Sequence, residues 1–226
     1  RRMPEVRSLH VRRYQMNPRV EFNRLWGDSG AQGNGTAVFD ELVRAYGAPV
    51  RHYHTLAHVM YVLGKIDEIV ANTDGPFAPP NLYALRWAAW FHDAVQLGDV
   101  GDERASAAFA SETMVAAGLD AICDMVAGII LATNHVTDPG PLGKVLCDAD
   151  LAVLGADRAH FDEYERLVRL EWPHVPDAQF AEARARVLHG FLARPSIYYT
   201  AYARERWEVQ ARENLSRSIA ALHGGA

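Results

Sequence analysis

Apolar residues recur along this chain at three- and four-residue intervals, and no stretch shows sustained period-two alternation of β-branched residues. A half-buried strand needs a side-chain period of two and a helix needs 3.6, so this pattern confines the chain to helices packed on helices. Leu56, Val59, Val62, Leu63, Ile66 and Ile69 fall on one face of a helix spanning Leu56 to Val70. Val38, Phe39, Leu42, Val43 and Tyr46 mark another, capped by Thr36, ended by Gly47 and blocked by Pro49. Further helices are expected over Val20–Trp26, Leu82–Phe91, Glu103–Ala117, Ala121–Thr133 behind an Asp120 cap, and Pro141–Leu154. Three more run from an Asp157 cap to Trp172, from an Asp177 cap to Ala193, and from Ala201 to Leu222. The fold class is therefore all-α, a helical bundle of one domain over residues 20–226. An arginine-rich arm, residues 1–19, precedes it and reads as a solvated terminus (Arg1, Arg2, Arg7, Arg12, Arg13, Arg19).

Composition narrows the class of partner. The chain has 226 residues, 49% of them hydrophobic, with a formal net charge of -5. That balance argues against a nucleic-acid polymer, while a small phosphorylated ligand needs only a local basic pocket. Cys123 and Cys147 lie in apolar surroundings without CxxC spacing, which favours a reduced, cytoplasmic protein. No apolar run is long enough for a bilayer and the N-terminal stretch has no apolar signal core, so no membrane partner is expected. A homodimer is compatible with the composition.

The chemistry gathers in three places. His92 and Asp93 sit side by side at the end of the apolar run Leu82–Phe91. Neutral imidazole and carboxylate both ligate divalent cations, and such an ion is the simplest bulky polar object on which they could converge. His52, His54 and His58 surround the start of the Leu56 helix; His54 and His58 are four apart and share a face if that helix begins early enough. Asp148 and Asp150 interrupt an otherwise apolar helix containing Val145, Leu146, Leu151, Val153 and Leu154. They point to different faces, so one of them is expected to face the core, where an acid needs a metal, a histidine or a distant arginine as partner.

Taken in order, Tyr53-His54 with His58, Phe91-His92-Asp93 and Ala149-Asp150-Leu151 resemble the HD-domain superfamily of metal-dependent phosphohydrolases, and within it a little-characterised bacterial group. The likeness runs from about Ala37 onward. It implies that His58, His92, Asp93 and Asp150 hold a divalent metal ion (Mn, Co, Ni, Mg, Zn or Fe), and that Asp93 takes part in catalysis. Tyr-His-x-x-x-His and Ala-Asp-Leu are also similar to segments of cyclic-nucleotide phosphodiesterases. That likeness implies that His54 protonates the leaving oxygen.

This sequence departs from the superfamily in two respects. Many two-metal members place two further histidines between the His-Asp pair and the late Asp; here only His135 stands there, and Glu103 is the candidate to complete a second metal site or act as a base. A glutamate three residues after the Asp, frequent in HD nucleotidases, is replaced by Gln96, which cannot take a proton. Arg51, His52 and Arg184 are the expected substrate contacts, since bidentate arginine suits phosphate oxygens. The resemblance implies a hydrolase of a small phosphoester, perhaps a nucleotide, working through activated water. An HD-type di-iron oxygenase and a nucleotide-sensing module without turnover are the alternatives.

Overall fold

A computed structural model describes residues 17–98, 101–136 and 138–224. Ten α-helices and no strand are found among the described residues. They are α1 (Pro18–Asp28), α2 (Gly35–Tyr46), α3 (Leu56–Val70), α4 (Pro79–Phe91), α5 (Asp102–Ala116), α6 (Asp120–Leu131), α7 (Gly140–Asp150), α8 (Arg158–Leu170), α9 (Asp177–Leu192) and α10 (Ala201–Gly224). Two 3-10 turns, Ala132–Asn134 and Leu151–Gly155, follow α6 and α7. The all-α expectation is met. Most of the arginine-rich arm, residues 1–16, lies outside the described residues; Arg19 is inside α1, paired with Asp40 at 2.5 Å and stacked on Phe39.

The caps show where local sequence was misread. α2 is capped by Asn34, whose side chain accepts from the Ala37 N–H at 3.1 Å, two residues ahead of Thr36. Asp120 and Asp177 stand inside the first turns of α6 and α9, where negative charge complements the helix dipole, and neither side chain caps its helix. Asp177 pairs with Arg169 instead, at 2.6 Å. Asp157 does cap α8, accepting from the His160 N–H at 3.1 Å. The expected helix Pro141–Leu154 ends at Asp150, and the chain tightens into the second 3-10 turn.

The core is organised around α4. Its inner half, Ala84, Leu85, Trp87, Ala88, Ala89, Trp90 and Phe91, is buried almost on every side, because α3, α5, α6 and α7 all pack against it. Phe22 of α1 meets Phe39, Trp87 and Trp90 edge-on at centroid distances of 5.3–5.4 Å, an arrangement that suits the ring quadrupoles. α5 and α6 form an antiparallel hairpin on one side; α10 covers the second 3-10 turn and α9 on the other. A helix that ends inside a core must still satisfy its last carbonyls. The Tyr46 hydroxyl donates to the Trp90 carbonyl at 2.9 Å, and the Arg51 guanidinium donates to those of Asp93 and Ala94 at 2.7 and 3.1 Å. The His-Asp pair is thus delivered at a pinned helix end. No helix among the described residues is long and apolar enough to cross a membrane, and both cysteines are free thiols.

Candidate metal centre

The structure brings His58, His92, Asp93 and Asp150 together: one ligating atom from each lies within 4.8 Å of all the others. His58 Nε2 is 3.2 Å from His92 Nε2, 3.3 Å from an Asp93 oxygen and 3.2 Å from Asp150 Oδ1. His92 Nε2 is 3.1 Å from the same Asp93 oxygen and 3.7 Å from Asp150 Oδ1. Two atoms bound about 2.0–2.1 Å from one ion at octahedral or tetrahedral angles stand about 2.8–3.4 Å apart, so all of these spacings but the 3.7 Å one are those a shared cation would set. The donor set fits a borderline divalent ion, two imidazoles and two carboxylates.

Each ligand is placed by its own local device. His58 lies in the first turn of α3, and its imidazole is almost wholly enclosed. His92 caps the C-terminus of α4, and its Nδ1–H donates to the Ala89 carbonyl at 3.0 Å, which fixes the tautomer and turns the Nε2 lone pair inward. Asp93 follows in the turn that Arg51 clamps. Asp150 is the last residue of α7, brought opposite α3 by the packing of those two helices. The electrostatics ask for positive charge at this point. Burial pulls both imidazoles down, but the Asp93 and Asp150 carboxylates outweigh it and hold His58 above, and His92 well above, their ordinary values. Burial likewise pushes the two carboxyls up, and the imidazoles more than reverse it, leaving Asp93 and Asp150 below the usual carboxylate range. A divalent ion among the four satisfies the same demand.

His54 does not share α3 with His58, because that helix begins at Leu56. It stands in the turn before, its ring centroid 5.6 Å from that of His58. Glu171, at the end of α8, holds it there. One Glu171 oxygen accepts the backbone N–H groups of His52, Tyr53 and His54 at 2.8–2.9 Å, and the other takes His54 Nδ1 at 2.6 Å. Successive N–H groups converging on one point form an anion nest, here filled by the protein's own carboxylate. Burial would raise the Glu171 carboxyl; His54 and the nest donors override that and hold it at about 2. Gln96 lies against the same His54 nitrogen at 3.0 Å. Sequence reasoning missed Glu171, because nothing local to it signals a contact with residues some 120 positions earlier.

Four other expected site residues need correction. Arg51 is at the site as a clamp: Nη1 donates to the carbonyls of His54 and Asp93, and Nη2 to that of Ala94. Arg184 is not at the site. Its guanidinium is enclosed against Glu165, which neutralises it, and donates to the Tyr164 hydroxyl. Glu103 sits half-buried in the first turn of α5 and does not join the cluster. His52 gives its backbone to the nest and turns its exposed side chain toward a cavity of about 1060 Å³ between α3, α8 and α10. His58 lines that cavity too.

His135 does approach the cluster, its Nε2 4.0 Å from Asp150 Oδ2. It adopts a left-handed conformation, φ 58°, rare for a non-glycine residue and a mark of a constrained site. Burial and the nearby Arg194 keep its imidazole below the ordinary value, Asp150 notwithstanding, so it is neutral near pH 7. Both acids of the Asp148-Ala149-Asp150 stretch prove to be in use. Asp148 is fully buried and accepts the backbone N–H groups of Tyr199 and Thr200, each at 2.7 Å, ahead of α10. Burial still raises its carboxyl to about 6.

No family model matches the chain, and neither a curated protein nor a solved structure is significantly similar to it.

Proposed function

We propose that this chain is a metal-dependent hydrolase of a small phosphoester, of the HD-superfamily kind. The reading is supported above all by one observation, the inward-facing quartet of His58, His92, Asp93 and Asp150 at ligand–ligand spacing, with its two imidazoles enclosed and its carboxylates partly open to solvent. A divalent ion held there supplies Lewis-acid charge for a phosphoryl oxygen and makes a water acidic enough to act near neutral pH.

The chain's own residues then do the following. His92 is fixed as an Nδ1–H tautomer and offers Nε2; His58 offers Nε2 from α3. Asp93 and Asp150 fix the position of positive charge and leave one side open. His54, with its Nδ1–H directed to Glu171, has Nε2 left to carry a proton, and the carboxylate behind it stabilises the imidazolium that would donate to a leaving oxygen. Gln96 orients but moves no proton.

The experiment is direct. Purified protein should retain divalent metal at near-stoichiometric level and hydrolyse at least one member of a phosphoester panel with Mn²⁺, Co²⁺, Ni²⁺ or Mg²⁺. His54→Asn should retain metal while kcat falls by about 10²–10⁴-fold, and Asp150→Ala should lose the metal. Protein that holds its metal and turns over nothing on the panel with any ion overturns the reading.

A further inference from the structure

The cluster opens on one side. Its imidazoles are almost wholly enclosed, whereas the Asp93 and Asp150 side chains are 26% and 21% exposed. Asp150 directs Oδ1 to the two imidazoles and Oδ2 toward His135, whose Nε2 is 4.0 Å away. Directly behind His135 is Arg194. Its Nη2 donates to the His135 carbonyl at 3.1 Å, and its guanidinium lies over the Phe191 ring, 4.7 Å from the centroid. The His135 imidazole meets that same ring edge-on at 5.7 Å. Arg194 has no carboxylate partner among the described residues, and its Nη1 is buried without any hydrogen-bond acceptor. A buried guanidinium donor left unpaired is costly and rare, and its natural complement is an anionic oxygen.

The segment that carries Arg194 is also held firmly. Arg212 donates to the carbonyls of Leu192, Arg194 and Pro195, and Glu208 accepts from the backbone of Ile197 and Tyr198. Asp148 takes the next two N–H groups, and Asp148 is on the same helix as the ligand Asp150. The backbone that carries Arg194 is therefore tied to the helix that carries Asp150, and the guanidinium itself is held by the His135 carbonyl and the Phe191 ring.

We infer that Arg194 is the specificity-determining cation of this site, binding an anionic oxygen of the ligand, of the phosphate class, beside the His58–His92–Asp93–Asp150 cluster. The inference rests on the phosphoester reading for the identity of the ligand, and on the geometry above for the residue. Arg51 and Arg184, the other arginines that sequence would nominate, are engaged with backbone carbonyls and with Glu165 respectively.

The probe is inorganic phosphate, titrated calorimetrically into metal-free and Mn²⁺-loaded full-length protein. Wild type is expected to bind it in both forms, and Arg194→Ala to weaken binding about ten- to a hundredfold in both. Arg194→Lys should recover part of the loss, since it restores the charge without the fork. Arg186→Ala, on the outer face of α9, should change nothing. If Arg194→Ala does not fold, Arg194→Gln, which still donates to the His135 carbonyl, carries the comparison. Wild-type protein that binds no phosphate, or a folded variant that binds it as wild type does, overturns the inference. Arg194-dependent phosphate binding without turnover of any phosphoester would sink the hydrolase reading and leave this one standing. Turnover with phosphate affinity and KM both unmoved in Arg194→Ala would do the reverse.

Discussion

Glu171 shows how much one side chain can organise. It fills a nest of three backbone N–H groups, fixes the turn that launches α3, and orients His54. Replacing it with Gln keeps an acceptor for the nest but removes the charge and the partner of the His54 ring. Glu171→Gln should lower stability by about 2 kcal/mol, measured by denaturant unfolding, while metal content is retained. The pH dependence has a definite sign. The folded carboxyl sits at about 2, below the 4.5 of an unperturbed glutamate, so its contribution is complete above 4.5 and is lost as pH falls toward 2. Across that interval the acid limb of the stability curve should be shallower in Glu171→Gln than in wild type; parallel limbs would mean that His54 and the nest are not what hold Glu171 down. At this scale the sequence was partly legible. A His-Asp pair ending an apolar run and an acid inside an apolar helix are local anomalies that mark His92, Asp93 and the Asp148–Asp150 stretch, whereas His58 and the choice of Asp150 came from the likeness to the HD superfamily. Glu171 and Arg194 carry no such anomaly, since each is one charged residue near the end of an amphipathic helix. Arg51 and Arg184 failed for the converse reason: a sequence displays a guanidinium but not the carbonyls and carboxylates that use it up.

Among the elements, the 3-10 turn Leu151–Gly155 sets the exit from the ligand-bearing helix α7. It lies so close to α10 that a Cβ at Gly155 would come within 2.5 Å of the Trp207 Cβ and 2.7 Å of the Trp207 carbonyl oxygen. The Asn214 amide donates to the Leu154 and Ala156 carbonyls at 2.9 Å, stitching the same contact from α10. Neither neighbour at Gly155 is the far end of a flexible side chain, so Gly155→Ala must push α10 away. A loss of about 1–3 kcal/mol is expected, read as a lowered melting temperature. An unchanged melting temperature would show that the contact between this turn and α10 yields easily. Helix periodicity located all ten helices because burial in a bundle writes itself as a 3.6-residue repeat. It missed the break after Asp150 because the apolar pattern, Leu151, Val153 and Leu154, runs on through a tighter turn that buries the same residues. The α2 cap was misplaced by two residues because Asn34 and Thr36 both offer a capping side chain, whereas Asp120 and Asp177 stand one residue inside helices whose N-cap positions, Leu119 and Pro176, make no side-chain cap.

For the molecule as a whole, the quartet draws its ligands from α3, the end of α4 and the end of α7, helices far apart in sequence. An ion that binds only when those three are assembled stabilises the fold by mass action. At a free concentration 100 times its Kd the gain is about 2.7 kcal/mol, which for a chain of this size shifts the melting temperature by about 5–10 °C. Adding a divalent ion to chelated wild-type protein should produce that rise, and His92→Ala or Asp150→Ala should abolish it. A rise of equal size in either variant would place the binding elsewhere.

Asp148 and Asp150 are separated by a single residue on α7, yet one anchors the strap that carries Arg194 and the other faces the His58–His92 cluster. A small roll of this helix about its axis therefore reaches the cage and the grip at once. Severing the anchor with Asp148→Ala should loosen the hold on manganese and the hold on phosphate together, and whatever factor one of these guests changes in the other's affinity must be returned in equal measure.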